Sequence, residues 1–429
     1  MLKTFTSNRF QESYHYLVLA NGLKVVLYPK EGYNSTYVIY STNFGSDDIE
    51  FKAIGKDRFC RMPAGVAHFL EHKMFETSDG TDATEKLAAL GADTNAFTSN
   101  TETAYLFSTT GNVIESLKIL LDFVGECSYT EESIEREKDI IEQERSMYAD
   151  IPNNVAKYNA LKLMYQENSV RNDIAGTKKS IKQITKYDLD TCYATFYHPS
   201  NMKLVIVGKF DYQEVAKMIE DYFKDDKRIP YIIERKNPIE ILPIKEHVKT
   251  VEMDVNIPII SMGIRINSSE IPYVEKELKS TYITYWLKES LNINSDFYQN
   301  VNNSGLITGP FTYFVTFSDS YEYIMITASS KYPNQLCELI KKEILSIKDK
   351  PLDFENIKRY EKSCVASVIR SFNSIEAISD LVNEALDANM PVYDYLERVL
   401  KFDYNDLSDV RSVFDERNLV VSKVVNIEK

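Results

Sequence analysis

His68-Phe69-Leu70-Glu71-His72 places two imidazoles one helical turn apart, with a carboxylate between them. On a helix the i and i+4 side chains leave the same face, about 5–6 Å apart at Cβ. That spacing suits two neighbouring ligands of a tetrahedral zinc ion. Glu71 lies too close to His72 in sequence to be an easy third ligand, but it is well placed to take a proton from a water on the metal. The order is H-x-x-E-H, the inverse of H-E-x-x-H. The chain has five histidines in 429 residues, so a shuffled chain of this composition would show the pattern roughly once in two hundred tries. The alternative without chemistry is an amphipathic helix whose histidines face a polar groove.

Two histidines do not complete a metal site. The stretch from Glu131 to Asp150 reads as a helix, with Ile134, Ile140, Ile141 and Met147 scattered among many acids. Glu137 and Glu144 fall within about 20° of each other on one face, two turns apart, whereas Glu135 and Glu142 point elsewhere. Acids on such a helix usually form a solvated face. Periodicity alone does not choose Glu144.

The run from Gly65 to His72, followed by Arg136-Glu137-Lys138-Asp139-Ile140-Ile141-Glu142-Gln143-Glu144, resembles the pitrilysin/insulinase family of inverted zincin peptidases, which includes mitochondrial processing peptidase. The resemblance implies Zn2+ held by His68, His72 and Glu144, with Glu71 and Glu137 as the catalytic acids. Glu137 would steady the site from outside the ligand set. Gly91 to Thr98 and Thr103 to Phe107 look like the family's edge strand and its hairpin partner, so the resemblance makes Asn95, Ala96, Phe97 and Thr98 the substrate-binding strand. A peptide would add there as a further strand. Tyr197 to Gly208 looks like the turn and strand that close the family's first domain. The implied fold is α+β: two duplicated halves, each a mixed, mostly antiparallel sheet packed with helices, forming a closed clamshell chamber alone or with a partner chain. The wording Phe69-Leu70-Glu71-His72-Lys73 is most like bacterial single-chain members, often paired with a sister chain whose zinc motif is degraded.

The second half departs from the family pattern. Active members usually place an arginine and, seven residues on, a tyrosine around a Gly-Leu. Here Phe297 to Thr308 carries Asn302 and Thr308 in that region. The resemblance therefore implies that a homologous sister subunit supplies what is missing, in a heterodimer, with a homodimer as the other arrangement.

Composition sets limits. The chain is 44% hydrophobic and 12% aromatic, enough for substantial cores in two or three domains. A net charge of −14 argues against nucleic acid and anionic membrane surfaces. No signal-like apolar run opens the chain and no run of 18 apolar residues occurs, so a cytoplasmic protein is expected. Cys60, Cys127, Cys192, Cys337 and Cys364 are odd in number and scattered, which indicates reduced thiols rather than a disulfide framework.

Strand-like runs from Leu23 to Tyr28 and from Thr36 to Thr42 precede the motif, and helices alternate with short strands up to Phe223. Asp225 to His247, with Pro230, Pro238 and Pro243 among charges, reads as a linker. The expected division is a zinc-binding peptidase domain over 1–224, a linker over 225–247 and an inactive peptidase-like domain over 248–429. Tyr187 to Val207 and Tyr404 to Val425 each read as a helix feeding a final strand, which suggests duplication. The second half's opening helix, Val274 to Leu291, has no histidine, so one zinc site per chain is expected. The function these readings support is a zinc metalloendopeptidase acting on unfolded peptides or a peptide precursor. The alternatives are a noncatalytic assembly subunit and an accessory protein of a peptide-modification pathway.

Overall fold

Val25-Val26-Leu27-Tyr28 and Leu204-Val205-Ile206-Val207 are continuous apolar runs, as strands covered on both faces require. They lie side by side in the computed structural model of the chain, which describes residues 2–77, 80–236, 238, 240, 242–267 and 271–427. The strands of the first half are β1 (Lys3–Ser7), β2 (Glu12–Val18), β3 (Lys24–Pro29), β4 (Thr36–Thr42), β5 (Glu50–Lys52), β6 (Phe59–Arg61), β7 (Asp93–Thr98), β8 (Thr103–Thr109) and β9 (Met202–Gly208). Seven of them form one sheet in the order β1-β2-β3-β9-β4-β8-β7, and β5 pairs with β6. Only β3 and β9 run parallel in the large sheet.

The second half contributes β10 (Val248–Met253), β11 (Ile259–Ile266), β12 (Thr312–Phe317), β13 (Glu322–Ser329) and β14 (Leu419–Asn426), in the order β10-β14-β11-β13-β12. β10 and β14 are parallel and the other pairs antiparallel. Beginning at β3 and at β10, the two sheets match strand for strand in order and sense. The chain is thus α+β with two equivalent sheet-and-helix halves, and the duplication suggested by the helix-then-strand endings is visible in the topology.

The compact units do not follow the linear division. One comprises 1–143, 173–236 and 366–397; the other comprises 144–172, 237–365 and 398–429. Two of their boundaries run through the long helices Glu131–Ala149 and Phe354–Ser371, and another through Val392–Val399. Past each of the two long helices the next helix covers the other half's sheet. Pro152–Met164 packs on β11 and β14, where Arg265 Nη1 donates to the Met164 carbonyl at 2.9 Å. Ile375–Asp387 packs on β9 and β4, where the buried Lys203 ammonium meets Asp387 at 2.7 Å and Glu102 at 3.2 Å.

The stretch read as a linker has little regular structure, as its prolines predict; its positions 237, 239 and 241 lie outside the described residues. Its first part is nonetheless fastened to the first unit. Arg235 pairs with Asp48 at 2.6 Å, and Lys236 pairs with Glu50 at 2.7 Å. The first unit's core gathers Leu27, Val38, Phe69, Leu70, Phe107, Ile141 and Leu204; the second's gathers Ile264, Leu278, Trp286, Ile324 and Ile340. All five cysteines are free thiols. Among the described residues no helix is long and apolar enough to cross a membrane.

Candidate metal centre

The motif helix Val66–Met74 starts from Gly65, whose φ of 92° is open to glycine at no steric cost. A Cβ there would lie 2.3 Å from the Ala175 carbonyl oxygen, so the loop before the helix can rest on that segment only with glycine. Phe69 and Leu70 are fully buried, and each such side chain contributes about 1.5–3 kcal/mol toward holding the helix down. The histidines fall on the opposite edge, half-buried, with ring centroids 4.6 Å apart.

The acidic helix spans Glu131–Ala149. One donor atom each from His68, His72 and Glu144 lies within 4.8 Å of the others, the one such group among the described residues. A tetrahedral ion with bonds of about 2.0–2.1 Å needs donors a little over 3 Å apart, shorter than the 4.8 Å within which these atoms lie. The donor chemistry also fits. Burial, with His72 adding to it, holds His68 down to about 4, so its ring is neutral near pH 7 and has a lone pair to give.

Glu137 lies outside this trio. Its Oε1 accepts from His72 Nδ1 at 3.0 Å, which leaves Nε2 of that ring to face a metal. Burial alone would raise Glu137, but the His72 hydrogen bond and the Lys73 charge prevail and hold it below the usual carboxylate range. Glu135 pairs with Lys138 at 2.6 Å and Glu142 faces Lys178 at 3.8 Å. Both point away, as the helical spacing predicts.

Glu71 is 8% exposed, and its Oε2 accepts from Thr98 Oγ1 at 2.6 Å. Thr98 ends β7, the edge strand of the first sheet. Along β7, Asn95 and Phe97 are exposed while Ala96 and Thr98 are half-buried. The structure therefore brings His68, His72, Glu144, Glu71, Glu137 and Thr98 together, and among the described residues the other side of β7 has no strand neighbour. Asn302 lies in the helix Asp296–Asn303 of the second unit, and the Thr308 hydroxyl donates to the Ser329 carbonyl at 3.0 Å.

Sequence reasoning missed Lys73. It is 1% exposed, and its ammonium reaches Glu76, Glu137 Oε2 at 3.2 Å and the Ser133 carbonyl at 3.4 Å. The signal was present: Lys73 follows Val66, Phe69 and Leu70 at i+7, i+4 and i+3, on the buried stripe of the helix.

A family model described as Insulinase (Peptidase family M16) matches residues 61–178, the span that holds every residue of this site. One described as Peptidase M16 inactive domain matches 183–363. A Bacillus subtilis protein named uncharacterized zinc protease YmfH is 34% identical over 99% of each chain. The chain belongs to the insulinase family, peptidase family M16. Zinc protease PqqE of Helicobacter pylori is 23% identical, over 93% of this chain and 89% of its own. The crystal structure of an M16-like peptidase from Alicyclobacillus acidocaldarius superimposes on this M16 member with a TM-score of 0.90 at 33% identity, covering 96% and 98% of the two chains. A protease from Helicobacter pylori, at 18% identity and a TM-score of 0.79, shares the fold.

Proposed function

We propose that this M16 member is a zinc-dependent endopeptidase for unfolded peptides, with zinc held by His68, His72 and Glu144. The observation that carries the reading is the hydrogen bond between Thr98 and Glu71: it joins an edge strand with an open side to a buried carboxylate beside three converging donors. Bound there, zinc supplies Lewis acidity, which makes a water acidic enough to lose its proton near neutral pH. Glu71, held in place by Thr98, takes that proton and later returns it to the leaving amine. Asn95 to Thr98 hold the peptide by main-chain hydrogen bonds, with its side chains falling alternately to either side. Glu137 keeps the His72 ring turned for metal binding.

The chain is further proposed to be the catalytic half of a heterodimer. Asn302 brings no cation to its position, and the Thr308 hydroxyl is already engaged with Ser329. Charged donors aimed at a developing oxyanion are commonly worth about 10²–10³ in rate, so a sister subunit that carries them should accelerate the chain. The test is Glu71→Gln, assayed on a mixed peptide library alone and with the candidate partner. Zinc content should stay at the parent's level while cleavage is lost in both settings. Undiminished turnover would assign the activity elsewhere, and a parent chain that cleaves vigorously with no response to any partner would defeat the heterodimer.

A further inference from the structure

We propose that Lys73 is a positioning residue for the metal centre, acting through Glu137 on His72. The inference rests on the zinc reading above and adds to it the pin that aligns the two ligand-bearing helices. A lysine ammonium is rarely buried without carboxylate partners. This one is fully buried at the end of the motif helix, and its three donors are matched by three acceptors: Glu76, Glu137 Oε2 and the Ser133 carbonyl.

Two of those acceptors belong to the acidic helix, and the third is tied to it. Ser133 Oγ donates to Glu76 Oε2 at 2.8 Å, and Ser133 and Thr130 exchange bonds at 3.1 Å that close the helix's first turn. The beginning of the acidic helix therefore rests on Lys73. One turn further on, both Glu137 oxygens are engaged, Oε2 by Lys73 and Oε1 by His72 Nδ1 at 3.0 Å. A carboxylate held at both ends cannot swing away from the imidazole. His72 is thereby fixed with Nδ1 as the donor and Nε2 directed at the site. Glu144 lies two turns beyond Glu137 on the same face, so its height along the helix is set by the same anchor.

The test is a double-mutant cycle on zinc affinity, measured by competition with a chromophoric chelator, using Lys73→Met and Glu137→Gln in the full-length chain. Each single variant should bind zinc about 10–100-fold more weakly than the parent. In the double variant the two losses should overlap rather than multiply, because both break one linkage. A lysine with only a structural role would lower the melting temperature of the metal-free chain and leave the zinc constant unchanged. Because Lys73→Met strands Glu76 as well as Glu137, the cycle is run in parallel in a Glu76→Gln background, where Glu137 is the only carboxylate that loses Lys73; that background alone should bind zinc within about threefold of the parent. Parent-like zinc affinity after the loss of Lys73, or losses that multiply, would overturn the proposal. A parent chain that binds no zinc would instead defeat the reading on which it rests.

Discussion

Thr98→Val exchanges one hydroxyl for a methyl group and so takes a hydrogen-bond donor from the site. Valine keeps the shape of threonine and suits a strand, so β7 and its pairing with β8 should survive. What is lost is a long 3.4 Å contact with Thr103 Oγ1 and, chiefly, the 2.6 Å hydrogen bond to Glu71 Oε2, within the range of a charge-assisted O–H···O⁻ contact. Such bonds are worth about 1.5–3 kcal/mol. Glu71 is 8% exposed, so water has limited access to replace the lost donor. If that free energy holds the base in place, about 1.4 kcal/mol per tenfold in rate gives a fall in kcat of roughly 10- to 150-fold. KM should change by less than about threefold, because the β7 backbone groups that would pair with a peptide are untouched. The assay is initial rates on a quenched fluorescent peptide at saturating concentration, with zinc measured on the same samples. Parent-like kcat at equal zinc content would show that Thr98 does not place the base. Loss of zinc would show that it holds the metal centre together instead.

Glu144→Gln should lose zinc under dialysis conditions in which Glu137→Gln retains it with affinity lowered about 10–100-fold; equal loss in both would mean that their roles are reversed. The metal-free chain should lose stability as the pH falls from 6.5 toward about 4. His68 in the folded state resists protonation down to about 4, while in the unfolded chain it takes up a proton near its ordinary 6.5, so acid favours unfolding across that window. Urea titrations of metal-free His68→Gln should show a shallower fall over the same range, and an unchanged slope would place the pH dependence elsewhere.

The chemistry of the site was legible because it is local. His68, Glu71 and His72 share one helical turn, and Glu137 and Glu144 share one face, so spacing alone placed each pair, although choosing Glu144 as the ligand required the family resemblance. The edge position of β7 also required it, since nothing in Asp93–Thr98 itself says whether a strand has one neighbour or two. The duplication could be read from two similar helix-then-strand endings, which became β9 and β14 at equivalent places in the two sheets.

The exchange of helices could not be read. The apolar face of Pro152–Met164 shows that the helix packs on something, but not that the partner is β11 and β14 of the other half. The position of Lys73 on the buried stripe signals its burial, but its partner Glu137 comes from a helix far away in sequence and could not be read from that stripe. The prolines between Asp225 and His247 correctly marked a break in regular structure, but the ion pairs of Arg235 and Lys236 with Asp48 and Glu50 depend on contacts far away in sequence.

The central claim is that His68, His72 and Glu144 form one zinc site, and elemental analysis of the purified chain beside its His72→Ala variant tests it most directly. The parent should contain about one zinc per chain and the variant close to none, with both showing the same far-ultraviolet circular dichroism. Equal zinc in the two proteins, or none in the parent after exposure to excess zinc, would contradict the account.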